Sequence, residues 1–150
     1  VVTDVVAWLE SRQIEPVVER ATADMTGLAG INTCDAADLP DTTALILVLG
    51  GDGTLLGMAR LIARSDSDPP LLAINFGSLG FLTETTLPEL SDALASVVDG
   101  AARVDRRRML RSRVVREDEV LAEELVLLYL KFHGQMMMHN LHFQHLTIYL

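Results

Sequence analysis

The sequence predicts an α/β domain built on a parallel sheet, and three observations carry that reading. Residues 44–49 and 71–74 are short, continuous apolar runs with β-branched members, the pattern of strands buried on both faces. Segments of helical periodicity stand between and after these runs. The joins are short and rich in Gly, Pro and Asp. Strands alternating with helices through short loops predict parallel pairing by right-handed crossovers.

The elements follow in order. Val2, Val5, Val6 and Leu9 share one face of a first helix, and Pro16-Val17-Val18 reads as a short strand, so the chain opens inside an αβ unit. A Gly/Asp-rich connection runs from Gly27 to Asp41. The apolar run 44–49 then stops at Gly50-Gly51-Asp52-Gly53-Thr54, and a helix beginning near Thr54 carries Leu55, Leu56, Ala59, Leu61, Ile62 and Ala63. A turn cluster from Asp66 to Pro70 leads into strand 71–74, which ends at Asn75-Phe76-Gly77-Ser78-Leu79-Gly80-Phe81-Leu82. Thr86 is placed as an N-cap, with Pro88 and Glu89 in the first turn of a helix that stops at Gly100.

Composition narrows the function classes. The 150 residues hold 49% apolar and 22% charged side chains, with a net charge of −9. That balance fits a globular core and speaks against a nucleic-acid or anionic-membrane partner, which calls for a basic face. A phosphorylated ligand remains compatible, because backbone N–H groups and a metal hold phosphate without net positive charge. Cys34 is the single cysteine, so neither an internal disulfide nor a cysteine-zinc cluster is available, and a reducing cytoplasm fits best. Asp4 and Glu10 interrupt the apolar start, unlike a signal peptide, and the apolar run 125–130 is far short of a membrane span.

The end of the chain differs from the rest. All 21 acidic residues lie between Asp4 and Glu124. Lys131 is the one lysine, and all 4 histidines and the run Met136-Met137-Met138 follow Glu124. Such a break fits a segment of separate origin, such as a shifted reading frame or a gene fusion, or else an apolar β-rich segment that packs onto something. His139, His142 and His145 recur every third residue, sharing neither a helix face nor a strand face, and predict no metal site. The methionine run reads as core or accidental rather than as a ligand box, and Arg106 to Arg108 as a solvated edge ahead of a phosphate-steering patch.

Chemistry concentrates at the glycine loop. Ligands of open α/β sheets collect at the carboxyl ends of the strands, where residues 50–54 must lie. Gly50, Gly51 and Gly53 permit positive φ and remove the Cβ atoms that would keep a ligand away. The following helix offers unpaired N–H groups and the positive end of its dipole, an anion site with Asp52 inside it. A carboxylate beside phosphates makes sense if it holds Mg²⁺, accepts a hydroxyl proton during phosphoryl transfer, or both. The helix terminus is expected to lower its pKa.

Residues 50–56, followed about twenty residues later by 75–82, resemble the paired signatures of the NAD kinase family. The first signature also occurs, with variations, in lipid kinases of the diacylglycerol and sphingosine type and in phosphofructokinases; the second selects NAD kinase. The resemblance implies ATP-dependent, in some members polyphosphate-dependent, phosphorylation of the adenosine-ribose 2′-hydroxyl of NAD, with Mg²⁺ or another divalent cation. It implies that Asp52 activates that hydroxyl and that Gly50, Gly51, Gly53 and Thr54 line the nucleotide site. Asn75 is carried over as a reader of a ribose or amide, and Phe81 as a residue that either stacks on adenine or belongs to the core. A homo-oligomer is implied for the full-length family.

The organisation implied is a Rossmann-like nucleotide-binding domain over residues 1–104, lacking the family's first strand. The start of an incomplete β-rich second domain follows at 105–124, then a divergent apolar tail at 125–150. The family's Asn-acid pair and its Thr-Gly-Ser-Thr-Ala-Tyr-like loop have no counterpart here. Little or no kinase activity is therefore expected of this chain alone. A non-catalytic nucleotide-binding fragment stands beside the kinase reading, and a lipid kinase is the other enzyme class.

Overall fold

The computed structural model describes residues 1–77, 80–116, 119–128 and 145–149, with side chains beyond Glu123 left out of account. Ser78 and Leu79 of the second motif, and His133, His139, His142, Asn140, Lys131 and the methionine run of the tail, lie outside the described residues.

Helix α1 (Val2–Glu10) buries Val2, Val5, Val6 and Leu9, the four residues its periodicity selects. Strand β1 (Glu15–Glu19) runs directly into α2 (Arg20–Thr26), where the Glu19 carboxylate accepts hydrogen bonds from the Thr22 backbone N–H and hydroxyl, each at 2.7 Å. Gly27 ends that helix in the left-handed region at φ 67°, a conformation open to glycine at no steric cost. Strand β2 (Asn32–Cys34) and the single turn α3 (Leu39–Thr42) follow. The stretch from Gly27 to Asp41 expected as a connection thus contains an edge strand, and α2 precedes it. Strand β3 (Leu45–Leu49), helix α4 (Asp52–Ile62) and strand β4 (Leu71–Asn75) form one strand–helix–strand unit. Helix α4 starts two residues before the expected Thr54, so Asp52 is itself in the first turn. Strand β5 (Thr85–Thr86) leads through a 3₁₀ turn (Leu87–Glu89) into α5 (Leu90–Val98). Thr86 and Glu89 form the capping box expected there, and Gly100 at φ 71° closes the helix.

The sheet runs β2-β1-β8-β3-β4-β5, where β8 is His145–Tyr149, and every pairing in it is parallel. The tail segment therefore lies as a strand in the middle of the sheet, paired with β1 on one side and β3 on the other. A second, antiparallel pair joins β6 (Arg108–Arg116) to β7 (Glu119–Leu128).

All five residues of β3 are buried, and their alternation splits them between two cores. Leu45, Leu47 and Leu49 pack with α1 and α5 through Val5, Leu9, Leu90 and Leu94. Ile46 and Val48 pack with Leu39 and Met58 of α3 and α4. Helices on both faces explain why the strand reads as a continuous apolar run: a polar residue on either side would lose its water with no partner. Each such side chain contributes roughly 2 kcal/mol by leaving water.

Candidate functional site

Register places the two motifs together. Leu49 pairs with Ile74, and the Gly50 N–H donates to the Ile74 carbonyl at 2.9 Å. The loops that leave β3 and β4 therefore emerge side by side at the carboxyl end of the sheet. Chain direction reverses nearby: β1 leads outward to β2, whereas β3 leads the opposite way to β4 and β5. That reversal is where open α/β sheets hold ligands.

Asp52 is the joint between the loops. Its Oδ1 accepts from the Leu82 N–H at 3.2 Å, the Thr83 N–H at 3.1 Å and the Thr83 hydroxyl at 3.0 Å. Its Oδ2 accepts from the Phe81 N–H at 2.9 Å. Partial burial pushes the Asp52 carboxyl up, but the donors from Phe81, Thr83 and Leu82 outweigh it and leave the pKa below the ordinary value. The lowering expected from sequence is present, with donors from Phe81, Leu82 and Thr83 behind it.

Behind this contact lies Asn75, 5% exposed at the end of β4. Its Nδ2 donates to Thr83 Oγ1 at 3.0 Å, and its Oδ1 accepts from the Gly77 N–H at 2.9 Å. Thr83 is fully buried and links Asn75 to Asp52. Sequence reasoning missed Thr83, since a threonine near Thr85 and Thr86 carries no signal of its own. In this structure the Asn75 amide makes hydrogen bonds to protein partners through both its Nδ2 and its Oδ1.

The glycines divide by purpose. None of Gly50, Gly51 and Gly53 has positive φ, so the expected conformational role is corrected: the missing Cβ is what counts. A Cβ at Gly50 would meet Thr54 Oγ1 at 2.5 Å, so Thr54 closes over that glycine. At Gly51 and Gly53 a Cβ would meet nothing within 4 Å, which leaves open space beside the carboxylate. Gly80 is the most constrained: a Cβ there would overlap Asp52 Oδ1 and come within 2.6 Å of Thr83 Oγ1.

Two aromatics flank the site. Phe81 is 89% exposed and Phe76 47% exposed, so Phe81 is no core residue, and Phe76 joins it as a feature the sequence reading passed over. Among the described residues no group of three His, Cys, Asp or Glu is placed to hold a metal, and no helix is long and apolar enough to cross a membrane.

With this geometry in place, comparison with known proteins is decisive. The ATP-NAD kinase N-terminal domain matches residues 2–102. The chain belongs to the NAD kinase family. NAD kinase of Geobacter metallireducens is 42% identical over 124 residues, covering 83% of this chain and 42% of that protein. NAD kinase of Geotalea daltonii is 43% identical over 108 residues, covering 72% of this chain and 37% of that protein. The chain thus spans about two fifths of the length of these curated relatives. A yeast NADH kinase solved in complex with NADH superposes with TM-score 0.66 at 20% identity, covering 84% of this chain and 41% of that one. At that identity it speaks for the Rossmann-like fold alone. The match to the family's N-terminal domain ends at residue 102, shortly before β6 begins, while the 124-residue match to the Geobacter metallireducens relative covers more of the chain.

Proposed function

We propose that this chain is the nucleotide-binding part of an ATP-dependent NAD kinase, transferring the γ-phosphoryl group of ATP to the 2′-hydroxyl of the adenosine ribose of NAD to give NADP. The observation that carries the reading is the Asp52 carboxylate, held between both motif loops at the switch point with acceptor capacity left on Oδ2. In the transfer the 2′-O–H bond breaks, an O–P bond forms and the bond to the β-phosphate breaks, releasing ADP. Asp52, ionised at neutral pH, accepts the hydroxyl proton or orients the hydroxyl for attack. Gly51 and Gly53 leave room for the nucleotide, Gly50 and Thr54 shape the turn, and the exposed Phe81 offers a face for a base. Asn75 acts through Thr83.

A divalent cation such as Mg²⁺ takes one or two protein carboxylates and completes its shell with phosphate and water. The spare acceptor position on Asp52 Oδ2 fits an ion carried by the nucleotide, and such an ion would neutralise charge on the phosphates. The finer attributes follow the same reading: a cytoplasmic enzyme, nucleotide partners, no nucleic acid, and a homo-oligomer in the full-length protein.

The test is Mg²⁺- and ATP-dependent NADP formation by the purified chain, with Asp52→Asn as control. Turnover that falls roughly 10²–10⁴-fold in the variant supports the proposal; equal turnover in both overturns the role of Asp52. A second reading is a non-catalytic nucleotide-binding fragment. Nucleotide binding without turnover, or co-purification with an intact NAD kinase, would select it. The lipid-kinase alternative loses ground to the match over residues 2–102.

A further inference from the structure

We infer that Thr83 is a positioning residue that fixes the Asp52 carboxylate so that Oδ2, not Oδ1, is the oxygen available for chemistry. The inference rests on the kinase reading for the use of Asp52, but the positioning itself is read from geometry. A carboxylate oxygen offers about two lone-pair directions. Oδ1 already accepts three hydrogen bonds, from the Leu82 N–H, the Thr83 N–H and the Thr83 hydroxyl. Oδ2 accepts one, from the Phe81 N–H, among the described residues. Among the described residues one oxygen is saturated and the other keeps one direction free.

The hydroxyl of Thr83 reinforces a one-sidedness that two backbone donors on Oδ1 against one on Oδ2 begin. A hydroxyl donates once, and its lone pairs accept. Here the Thr83 hydroxyl accepts from Asn75 Nδ2 at 3.0 Å, which leaves its proton directed to Asp52 Oδ1, also at 3.0 Å. Asn75 is oriented in turn by the Gly77 N–H donating to its Oδ1. Amide, hydroxyl and carboxylate therefore form an ordered chain that crosses from β4 to α4 and determines the rotation of the carboxylate. The gap beneath admits no further atom, because a Cβ at Gly80 would overlap Asp52 Oδ1 and meet Asp52 Cγ at 2.8 Å. Without the Thr83 hydroxyl Oδ1 keeps two backbone donors against one on Oδ2, but the carboxylate loses its third donor and its link to Asn75.

The experiment uses the full chain, labelled with ¹³C and ¹⁵N, without nucleotide. The readouts at neutral pH are the Asp52 Cγ resonance and the Phe81 amide resonance. In Thr83→Val both are expected to move away from their wild-type positions; in Thr83→Ser, which restores the hydroxyl, both return. Unmoved resonances in Thr83→Val, or no return in Thr83→Ser, overturn the inference. Should Thr83→Val fail to fold, Thr83→Ala removes the same hydroxyl without adding bulk and is judged by the same two resonances. If the chain turns over NAD, Thr83→Val is also expected to lower kcat about tenfold with KM for NAD unchanged, the signature of lost alignment rather than lost binding. A KM effect alone would count against it. The resonances are independent of nucleotide, so failure of the kinase reading and failure of this inference are separately visible.

Discussion

Strand β3 and the β6–β7 hairpin are both short stretches of extended chain, yet they are held by different forces. All five residues of β3 are buried, and its side chains divide between two cores. On the hairpin Leu110, Val114, Val115, Val120 and Leu121 are each at least half exposed. What fastens its side chains is Glu123, which meets Arg111 Nη1 at 2.7 Å and Arg113 Nε at 2.5 Å across the ladder. An isolated two-stranded ribbon is marginal in water, and exposed ion pairs add little. The comparison teaches that the domain stands on its sheet, while these five apolar residues of the hairpin are only half covered.

The sharpest way to break this contrast is to truncate one side chain in each region. Leu47→Ala is expected to destabilise the chain by about 2–5 kcal/mol, the usual cost of a cavity at a closed site. Val114→Ala, 57% exposed in the wild type, is expected to change stability by no more than about 0.5 kcal/mol. Urea midpoints at constant m-value measure both. Equal losses would show that the hairpin is part of the cooperative core.

Legibility in the sequence follows the same division. The four buried residues of α1 and the whole of β3 were readable because burial by neighbouring layers imposes a period, or its absence, on the apolar residues. The α2–β2 region was not, because a seven-residue helix and a three-residue strand are too short for a period to emerge. Central placement of β8 was equally hidden, since pairing with β1 and β3 is a contact across more than a hundred residues of chain. At the site, the Gly-Asp-Gly loop and Phe81 announced themselves through residue type. Thr83 did not, because its importance comes only from the fold bringing it to Asp52 and Asn75. The glycines of the first motif were recognised for partly the wrong reason: at Gly50 a neighbour forbids a Cβ, and no positive φ is involved.

A smaller effect is expected where the loops meet. Gly80→Ala puts a methyl where Asp52 Oδ1 and Thr83 Oγ1 already are, and overpacking of this kind costs about 1–3 kcal/mol. The displacement should register as shifted amide resonances at Phe81, Leu82 and Thr83. Gly51→Ala is its counterpart: a Cβ there meets nothing within 4 Å, so stability should hold while nucleotide binding weakens. Similar stability losses in the two variants would mean that the loop yields at Gly80 and does not clamp Asp52 as described.

The smallest effect, and the finest discriminator, is the response of two carboxylates to acid and salt. Asp52 and Glu123 both lie below their ordinary pKa values, from 3.8 and 4.5 respectively. A depressed folded-state pKa contributes stability that is fully present above the unfolded value and is lost as pH falls through the folded value. Both contributions therefore belong to the acid limb, below roughly pH 4–5. Their causes differ. For Asp52, burial acts upward and neutral donors from Phe81, Thr83 and Leu82 act downward more strongly. For Glu123 the leading cause is the Arg113 hydrogen bond, with the charges of Arg111 and Arg113 adding to it and burial opposing. At 1 M salt the screening length is only ~3 Å, and exposed charges lose most of their reach. Asp52→Asn should therefore flatten the acid limb of the stability curve equally at low and high salt. Glu123→Gln should change that limb only at low salt, and less. A salt-insensitive Glu123 would show the hairpin to be better packed than its exposure indicates, and a salt-sensitive Asp52 would show that charged groups, rather than the backbone of the second motif, hold the carboxylate.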